Sequence, residues 1–367
     1  MTRVYLIRHA EAEGNLYRIA QGQDNSNLTD RGWRQVKALE KRFASITIDA
    51  IYASDLYRTC ATASAVYKPK GLTLHRRKDL REICVGEWEQ KTWGEIALTD
   101  EGQLENFSNH PDRWQVPGGE DPRAVLKRVL AAVEEIAPAH DGETIALVSH
   151  GYAIRLLLSK AQGIALEDLA QTPVGDNTAV SLLEYENGNL RLIFRDDNSH
   201  LQTPAYLAGE KMRKRAIAME TGLYFRPLRL PEQAEEFSSL VESVWQESGK
   251  TEGFDRVRLL ADAAERTTLV GYLKGRSVGL VQLEPESGWV SLLCVRPEVR
   301  QRSFGVQLVG QAVLRARHAG SETLRVRLER GNAAEVFFRD YGFYPLEEAQ
   351  GLLEKRIGFE PEYLSAE

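Results

Sequence analysis

The stretch VYLIRHAEAEGN, residues 4–15, begins as a short apolar run and turns abruptly to an arginine, a histidine and acidic residues. A run of four β-branched and apolar residues reads as a strand buried on both faces. Arg8 and His9 then stand at its carboxyl end. The same grammar recurs twice. IDAIYASD (48–55) is a strand followed by the helical LYRTCATASAVY (56–67), and ETIALVSHG (143–151) is a strand followed by YAIRLLLSKAQG (152–163), closed by Gly163. Between them lie LTDRGWRQVKALEKRF (28–43), with Thr29 as an N-cap, and the long helical DPRAVLKRVLAAVEEIAPAH (121–140). Repeated strand-then-helix order predicts an α/β domain: three layers around a mostly parallel sheet. AVSLLEY and LRLIFRDD flank Asn187-Gly188, a pair suited to a two-residue hairpin, and close this domain near His200.

The 367 residues are long for one core and favour two domains. The expected division is 1–203, a linker or terminal helix over 204–221, and a second domain over 222–367. The second unit is mixed α/β, with helical EQAEEFSSLVESVWQES (232–248), alternating TTLVGYLKGRSVGLVQLE (267–284) and GWVSLLCVRPE (288–298), then QLVGQAVLRARHAG (307–320) and TLRVRLE (323–329). Met212, Met219 and the run KMRKR (211–215) in the linker read as packing and as a solvated helix face.

A formal charge of −6 gives no bulk attraction for nucleic acid or an anionic membrane, so neither is an expected partner. Cys60, Cys84 and Cys294 lie far apart, which suggests neither a zinc cluster nor a disulfide scaffold. Cys294 sits in an apolar strand and reads as core. With no apolar leader and no run of about 18 apolar residues, a cytoplasmic setting is the expectation.

The carboxyl ends of parallel strands share one rim, where ligand crevices form. Here that rim collects Arg8-His9, Ser54 with Arg58, and Ser149-His150-Gly151. Arg8 and Arg58 offer planar donor forks suited to phosphate. Neutral His9 can attack phosphorus if its second ring nitrogen is fixed by an acceptor, while His150 donates to a phosphate oxygen. A departing alkoxide needs an acid. Glu82, in DLREICVGEWEQKTWGEI (79–96), is the chosen carboxyl group, with Glu89 and Glu95 as substitutes and Glu87 and Trp88 shaping the cleft. Asn15 either binds phosphate or caps a turn.

These pieces, in this order, resemble the histidine phosphatase (phosphoglycerate mutase-like) superfamily over the first 200 or so residues. RHAEAEGN supplies Arg8, His9 and Asn15, with Ala10 where the family has glycine. GQDNSNLTDRGWRQ, SDLYRTCATA with Arg58, LREICVGEWE with Glu82, PGGED (117–121), SHG with His150 and Gly151, and NSHL (198–201) follow. The resemblance implies a phosphohistidine at His9, formed on a small phosphomonoester and hydrolysed by water. Arg8, Asn15, Arg58, His150 and Gly151 would surround the phosphoryl group without a metal. The family's other activity is phosphoglycerate mutase-type transfer, and a third reading is a phosphate-ligand binding module without turnover.

Residues 223–345 resemble the Gcn5-related acetyltransferase (GNAT) fold. Its Arg/Gln-x-x-Gly-x-Gly/Ala loop is matched by Arg300 to Gly305, and its later segment by NAAEVFFRDYGF (332–343). The resemblance implies acetyl-CoA held along Leu293 to Val295 and by Arg300, Gln301, Arg302, Ser303, Phe304, Gly305 and Val306, with Asn332 and Phe338 nearby, and an amine as acyl acceptor. Ser303 replaces the first glycine, and Phe338 stands where many members have a proton-donating tyrosine, for which Tyr341 and Tyr344 are substitutes. The alternative is a CoA- or metabolite-sensing or docking domain.

Overall fold

The computed structural model describes residues 1–208, 222–247, 254–329, 334–347 and 349–364. KMRKR, Met212, Met219 and Asn332 lie outside them.

The first sheet has six strands: β1 (Thr2–Arg8), β2 (Ala50–Ser54), β3 (Leu74–Arg77), β4 (Thr144–Ser149), β5 (Val180–Glu186) and β6 (Asn189–Asp197). Their order is β3-β2-β4-β1-β5-β6. The first four run parallel, and β5 and β6 add an antiparallel hairpin at one edge. Asn187 and Gly188 turn that hairpin with φ of 51° and 81°, the left-handed pair that a tight two-residue loop requires.

Helices cover both faces. Along β1 and β4 successive side chains alternate. Val4, Leu6, Ile145 and Leu147 pack on α6 (Pro122–Ile136) and α7 (Gly151–Ala161). Ile7, Ala146 and Val148 pack on α2 (Asp30–Phe43) and α3 (Tyr57–Lys70). Thr29 caps α2, its Oγ1 accepting the Gly32 N–H at 3.0 Å. The small buried run Thr59 to Val66 lets α3 sit close to the sheet, where Thr62 Oγ1 accepts the Ala10 N–H. A short α1 (Glu13–Tyr17) follows the rim loop, and α4 (Trp93–Thr99) and α5 (Glu101–Asn109) occupy the irregular region between β3 and α6.

After α8 (Pro204–Leu207) the second sheet is built from β7 (Tyr224–Pro227), β8 (Thr267–Leu273), β9 (Arg276–Glu284), β10 (Trp289–Val295), β11 (Thr323–Arg327), β12 (Tyr344–Pro345) and β13 (Leu352–Arg356). The order is β12-β13-β11-β10-β9-β8-β7. β10 and β11 run parallel but pair only at Trp289↔Arg325 and Val290↔Val326, so the rest of β10 splays from its neighbour. Of the flanking helices α9 (Ala234–Glu247), α10 (Arg256–Glu265), α11 (Phe304–His318) and α12 (Ala334–Asp340), α11 packs on one face, while α9 and α10 flank the other. Cys294 is buried among Phe237, Leu240 and Leu280. The protein thus comprises two α/β domains. Among the described residues no helix is long and apolar enough to cross a membrane.

The two sheets are joined by more than the connecting chain. Phe359, Tyr363 and Leu364, which follow β13, return to the α2–α3 side of the first domain. Thr92 Oγ1 donates to the Leu223 carbonyl at 2.6 Å, and the Leu223 N–H donates to buried Gln307 of α11 at 2.9 Å. Gly94 lies so close to this crossing that a Cβ there would stand 2.2 Å from the Gly222 carbonyl oxygen. Gly94→Ala is expected to cost about 1–3 kcal/mol through that overlap with backbone. Urea unfolding of the full chain checks it, and an unchanged midpoint would contradict it.

Candidate active site

Strand register sets the rim. Arg8 of β1 pairs with Ser149 of β4, and the His9 N–H donates to the Ser149 carbonyl at 3.0 Å. β2 reaches the same level on the far side of β4, with Ala53 opposite Val148. His9, Ser54 and His150 therefore converge although 141 positions separate the two histidines (150 − 9).

His9 is 5% exposed, and its Nδ1 lies 2.8 Å from the Ala10 carbonyl oxygen. Because that oxygen can only accept, the proton resides on Nδ1 and the lone pair on Nε2. The Ala10 backbone is outside the left-handed region, so its methyl group carries no conformational cost relative to glycine. The His150 ring is fully buried, 5.3 Å from that of His9 between centroids, and its Nε2 pairs with Ser54 Oγ at 2.8 Å. His150 Nδ1 is buried with no hydrogen-bond partner among the described residues.

Both arginines are held by carbonyl oxygens. Arg58 is 1% exposed and donates to Asp24 and Gly22, each at 2.8 Å. Arg8 donates to Gly175 through Nη1. Its guanidinium lies against Gly151, where a Cβ would be 3.1 Å from Cζ, so glycine at the start of α7 permits this approach. Burial pushes Arg58 down to about 10 and lowers Arg8 as well. Burial, then the Arg58 and Arg8 charges, hold His9 well below its ordinary value. His150 is lowered in the same way, chiefly by burial and by Arg58.

Glu82 stands at the amino end of α7, its two oxygens accepting the Tyr152 and Ala153 N–H groups at 3.0 Å each. Its segment is clamped by Arg128, which pairs with Glu120 at 2.7 Å and donates to the carbonyls of Asp79, Arg81 and Glu82. Asn15 Oδ1 accepts the Ala12 N–H at 3.0 Å, so it does act as a local cap, yet Asn15 also lines the cleft.

Arg8, His9, Asn15, Arg58, Glu82 and Gly151 line one cleft of about 330 Å³. The other carboxylates lie elsewhere: Glu89 accepts the Gly22 and Gln23 N–H groups, Glu95 pairs with Arg226, and Glu87 is exposed. Trp88 is buried in the core. Sequence reasoning missed the upper walls, formed by Arg18, Gln21, Trp93, Phe107, Tyr152 and Val174. For Trp93 and Phe107 the signal was the aromatic content of the irregular 84–119 region; the other four carried none.

Residues 4–198 match the family described as "Histidine phosphatase superfamily (branch 1)". The chain belongs to that superfamily. Among curated proteins it is similar to "Probable phosphoglycerate mutase GpmB" of Salmonella typhi, 31% identical over 210 residues, covering 56% of this chain and 97% of the relative. The same protein from Salmonella choleraesuis is 30% identical over the same lengths. Among solved structures, Bacillus stearothermophilus YhfR superposes with a TM-score of 0.53 at 32% identity, over 55% of this chain and all of YhfR. Residues 233–352 match an acetyltransferase (GNAT) domain. The superfamily fold is thus fused to a GNAT domain in one chain.

In the GNAT domain the Arg300–Gly305 bend leads directly into α11. Gln301 and Ser303 both have left-handed backbones, with φ of 59° and 61°. Arg300 Nε donates to the Val295 carbonyl at 3.0 Å, and Arg302 lies over the Phe304 ring. Gly305 faces the Phe337 ring, 2.9 Å from where a Cβ would sit, and Val306 is buried in the α11 cluster. Leu293 and Val295 lie on the splayed part of β10. Phe338 is 4% exposed, Tyr341 packs on Phe337, and Tyr344 donates to Asp30 of the first domain.

The buried histidines predict a pH dependence of stability. Once unfolded, His9 and His150 protonate below about 6.5, whereas in the fold they stay neutral, so the unfolded chain binds more protons there. Stability is complete above pH 6.5 and falls as the pH drops below it, by up to ~1.4 kcal/mol per unit for each group. Urea unfolding between pH 7.5 and 5 should show this slope, and His9→Asn should reduce it. A flat profile would contradict burial in the neutral form.

Proposed function

We propose that the first domain hydrolyses small phosphomonoesters through a phosphohistidine at His9. The observation that carries this reading is the Nδ1–H bond from His9 to the Ala10 carbonyl, which leaves Nε2 as the nucleophilic nitrogen beside the buried Arg58 and the partly buried Arg8. The substrate phosphate enters the floor of the cleft, and Arg8, Arg58, His150, Asn15 and the Gly151 N–H bind its oxygens. Nε2 attacks phosphorus, and the bond from phosphorus to the ester oxygen breaks. Glu82 gives its proton to the departing alkoxide. Water then attacks phosphorus as Glu82 takes a proton from it, the Nε2–P bond breaks, inorganic phosphate is released and neutral His9 is restored. Both guanidinium groups are already oriented by carbonyl oxygens, and Arg58 is buried, so they need little reorganisation as charge redistributes.

His9→Ala is expected to remove the acid-labile phosphoenzyme and to lower kcat by roughly a thousand-fold or more. Glu82→Gln should slow alkyl phosphates by about a hundred-fold and aryl phosphates far less, because a good leaving group needs no proton. Rapid-quench labelling and a monoester panel measure both effects. Equal losses on the two substrate types would remove Glu82 from the acid role. Isomerisation of phosphoglycerate in preference to phosphate release would favour the mutase reading.

For the GNAT domain, the residues present fit acetyl-CoA in part. The two left-handed residues at the amino end of α11 turn successive N–H groups into an anion-binding bend, and the strand splay exposes the backbone of Leu293 to Val295. When bound, acetyl-CoA would supply a thioester acyl group for an amine. Arg300, Gln301, Arg302, Ser303, Phe304, Gly305 and Val306 would hold its pyrophosphate. Phe338 has no proton to give, so a different residue would have to protonate the leaving thiolate. Calorimetry with acetyl-CoA tests binding, and Ser303→Gly should tighten it several-fold by removing a β-carbon that would crowd the pyrophosphate. Binding without turnover on an amine panel would favour the sensing role.

A further inference from the structure

α1 is five residues long, too short to persist by its own hydrogen bonds. Its position is set by what it packs against, and much of that belongs to the other domain. Tyr17 is 2% exposed and lies on α11 at Gly310, where a Cβ would stand 2.5 Å from both Cβ and Cγ of the tyrosine. Leu16, Tyr17 and Ile19 share one apolar cluster with Val306, Val309 and Val313 of α11.

An ion pair locks the same helix. Both oxygens of buried Glu13 accept Arg317 Nη2 at 3.0 Å, and Glu13 Oε2 also accepts the Asn27 N–H at 3.1 Å. Arg317 is itself fixed by the Ile357 carbonyl, at 3.0 and 2.8 Å, and lies over the Phe359 ring. Removing one partner of a buried pair leaves the other charge uncompensated, so Glu13 would move toward water and take α1 with it.

The opposite side of α1 reaches the phosphate end of the cleft. Asn15 Oδ1 accepts Asn177 Nδ2 at 3.3 Å, and the same amide donates to the His9 carbonyl at 3.0 Å. We propose that Arg317 and Gly310, both on α11 of the GNAT domain, are positioning residues for phosphoryl transfer in the first domain, acting through α1 on Asn15 and the Asn15–Asn177–His9 contact. This rests on the reading of the His9 cleft as a phosphatase site. Neither residue touches substrate. A displacement near 1 Å at a group that orients the phosphate is enough for a large loss of rate.

The test uses the full chain and p-nitrophenyl phosphate. Arg317→Ala and Gly310→Ala are each expected to lower kcat/KM on the order of ten-fold, the second without removing any charge. Arg226→Ala breaks a different interdomain pair, Arg226–Glu95 at 2.6 Å, and should leave kcat/KM within about two-fold of wild type. Asn15→Ala should cost at least as much as Arg317→Ala, and the double variant should be no worse than Asn15→Ala alone. Multiplicative losses in the double variant, or wild-type kcat/KM in Arg317→Ala and Gly310→Ala, would overturn the proposal. If Arg317→Ala does not fold, Gly310→Ala and its combination with Asn15→Ala decide the matter. A wild-type protein inactive on all monoesters would instead overturn the phosphatase reading, whereas an active one indifferent to α11 overturns only this inference.

Discussion

The buried Arg58 guanidinium and the partly buried Arg8, set beside two buried imidazoles, constrain everything around them. Arg8 and Arg58 make their hydrogen bonds to the carbonyls of Gly175, Gly22 and Asp24. Carbonyls orient a guanidinium but do not cancel its charge. Dehydration of these cations is unfavourable in the free protein and lowers their proton affinity, while both histidines are kept neutral first by their own burial and then by the arginine charges. A dianion arriving in the cleft would relieve that cost. The surrounding loops must therefore be rigid enough to hold the groups in place while the cleft is empty, and the Arg128 clamp, the Asn177 contact and α1 supply that rigidity.

The fusion is built into this arrangement. α4 and its cap Thr92 lie in the irregular region that shapes the upper cleft, and the same stretch carries the Thr92–Leu223 bond, the Gly94–Gly222 crossing and the Glu95–Arg226 pair. α1 contributes Asn15 to the cleft and Tyr17 to the apolar core beside α11. Phe359 and Tyr363, from the end of the chain, pack on Tyr57 one residue before Arg58. At each of these three contacts the second domain meets the first close in sequence to a residue that lines the cleft: Trp93, Arg18 and Arg58.

Much of the first sheet was legible because its strands are buried on both faces and are punctuated by caps and glycine. Thr29, Asn187-Gly188 and Gly163 all mark boundaries in the sequence that the structure reproduces. The floor of the cleft was legible because strand ends carry its residues. β3, α4 and α5 were not seen. LHRR has no apolar alternation and is held at the sheet edge by pairing with β2, while α4 and α5 are short and packed through aromatic contacts among Trp88, Trp93, Phe107 and Trp114. Such contacts join residues at irregular spacing, so they leave no period to read. The roles of Glu13, Tyr17 and Arg317 were hidden for a different reason: an ion pair across 304 positions has no local signature.

Glu82 shows how local and distant constraints combine at one atom. Its backbone is fixed by Arg128 from α6, and its carboxyl group is fixed by the first N–H groups of α7, which also begins beside the Arg8 guanidinium. A helix amino terminus has N–H groups without intrahelical partners. One set at α7 meets the carboxyl group, and Gly151 leaves room for the arginine that would meet the phosphate. In the proposed reaction the leaving-group acid would in this way be tied to the same helix end as the anion site, so the distance between acid and phosphoryl group would follow from the packing of α7 on the sheet and not from the mobile reach of a long side chain.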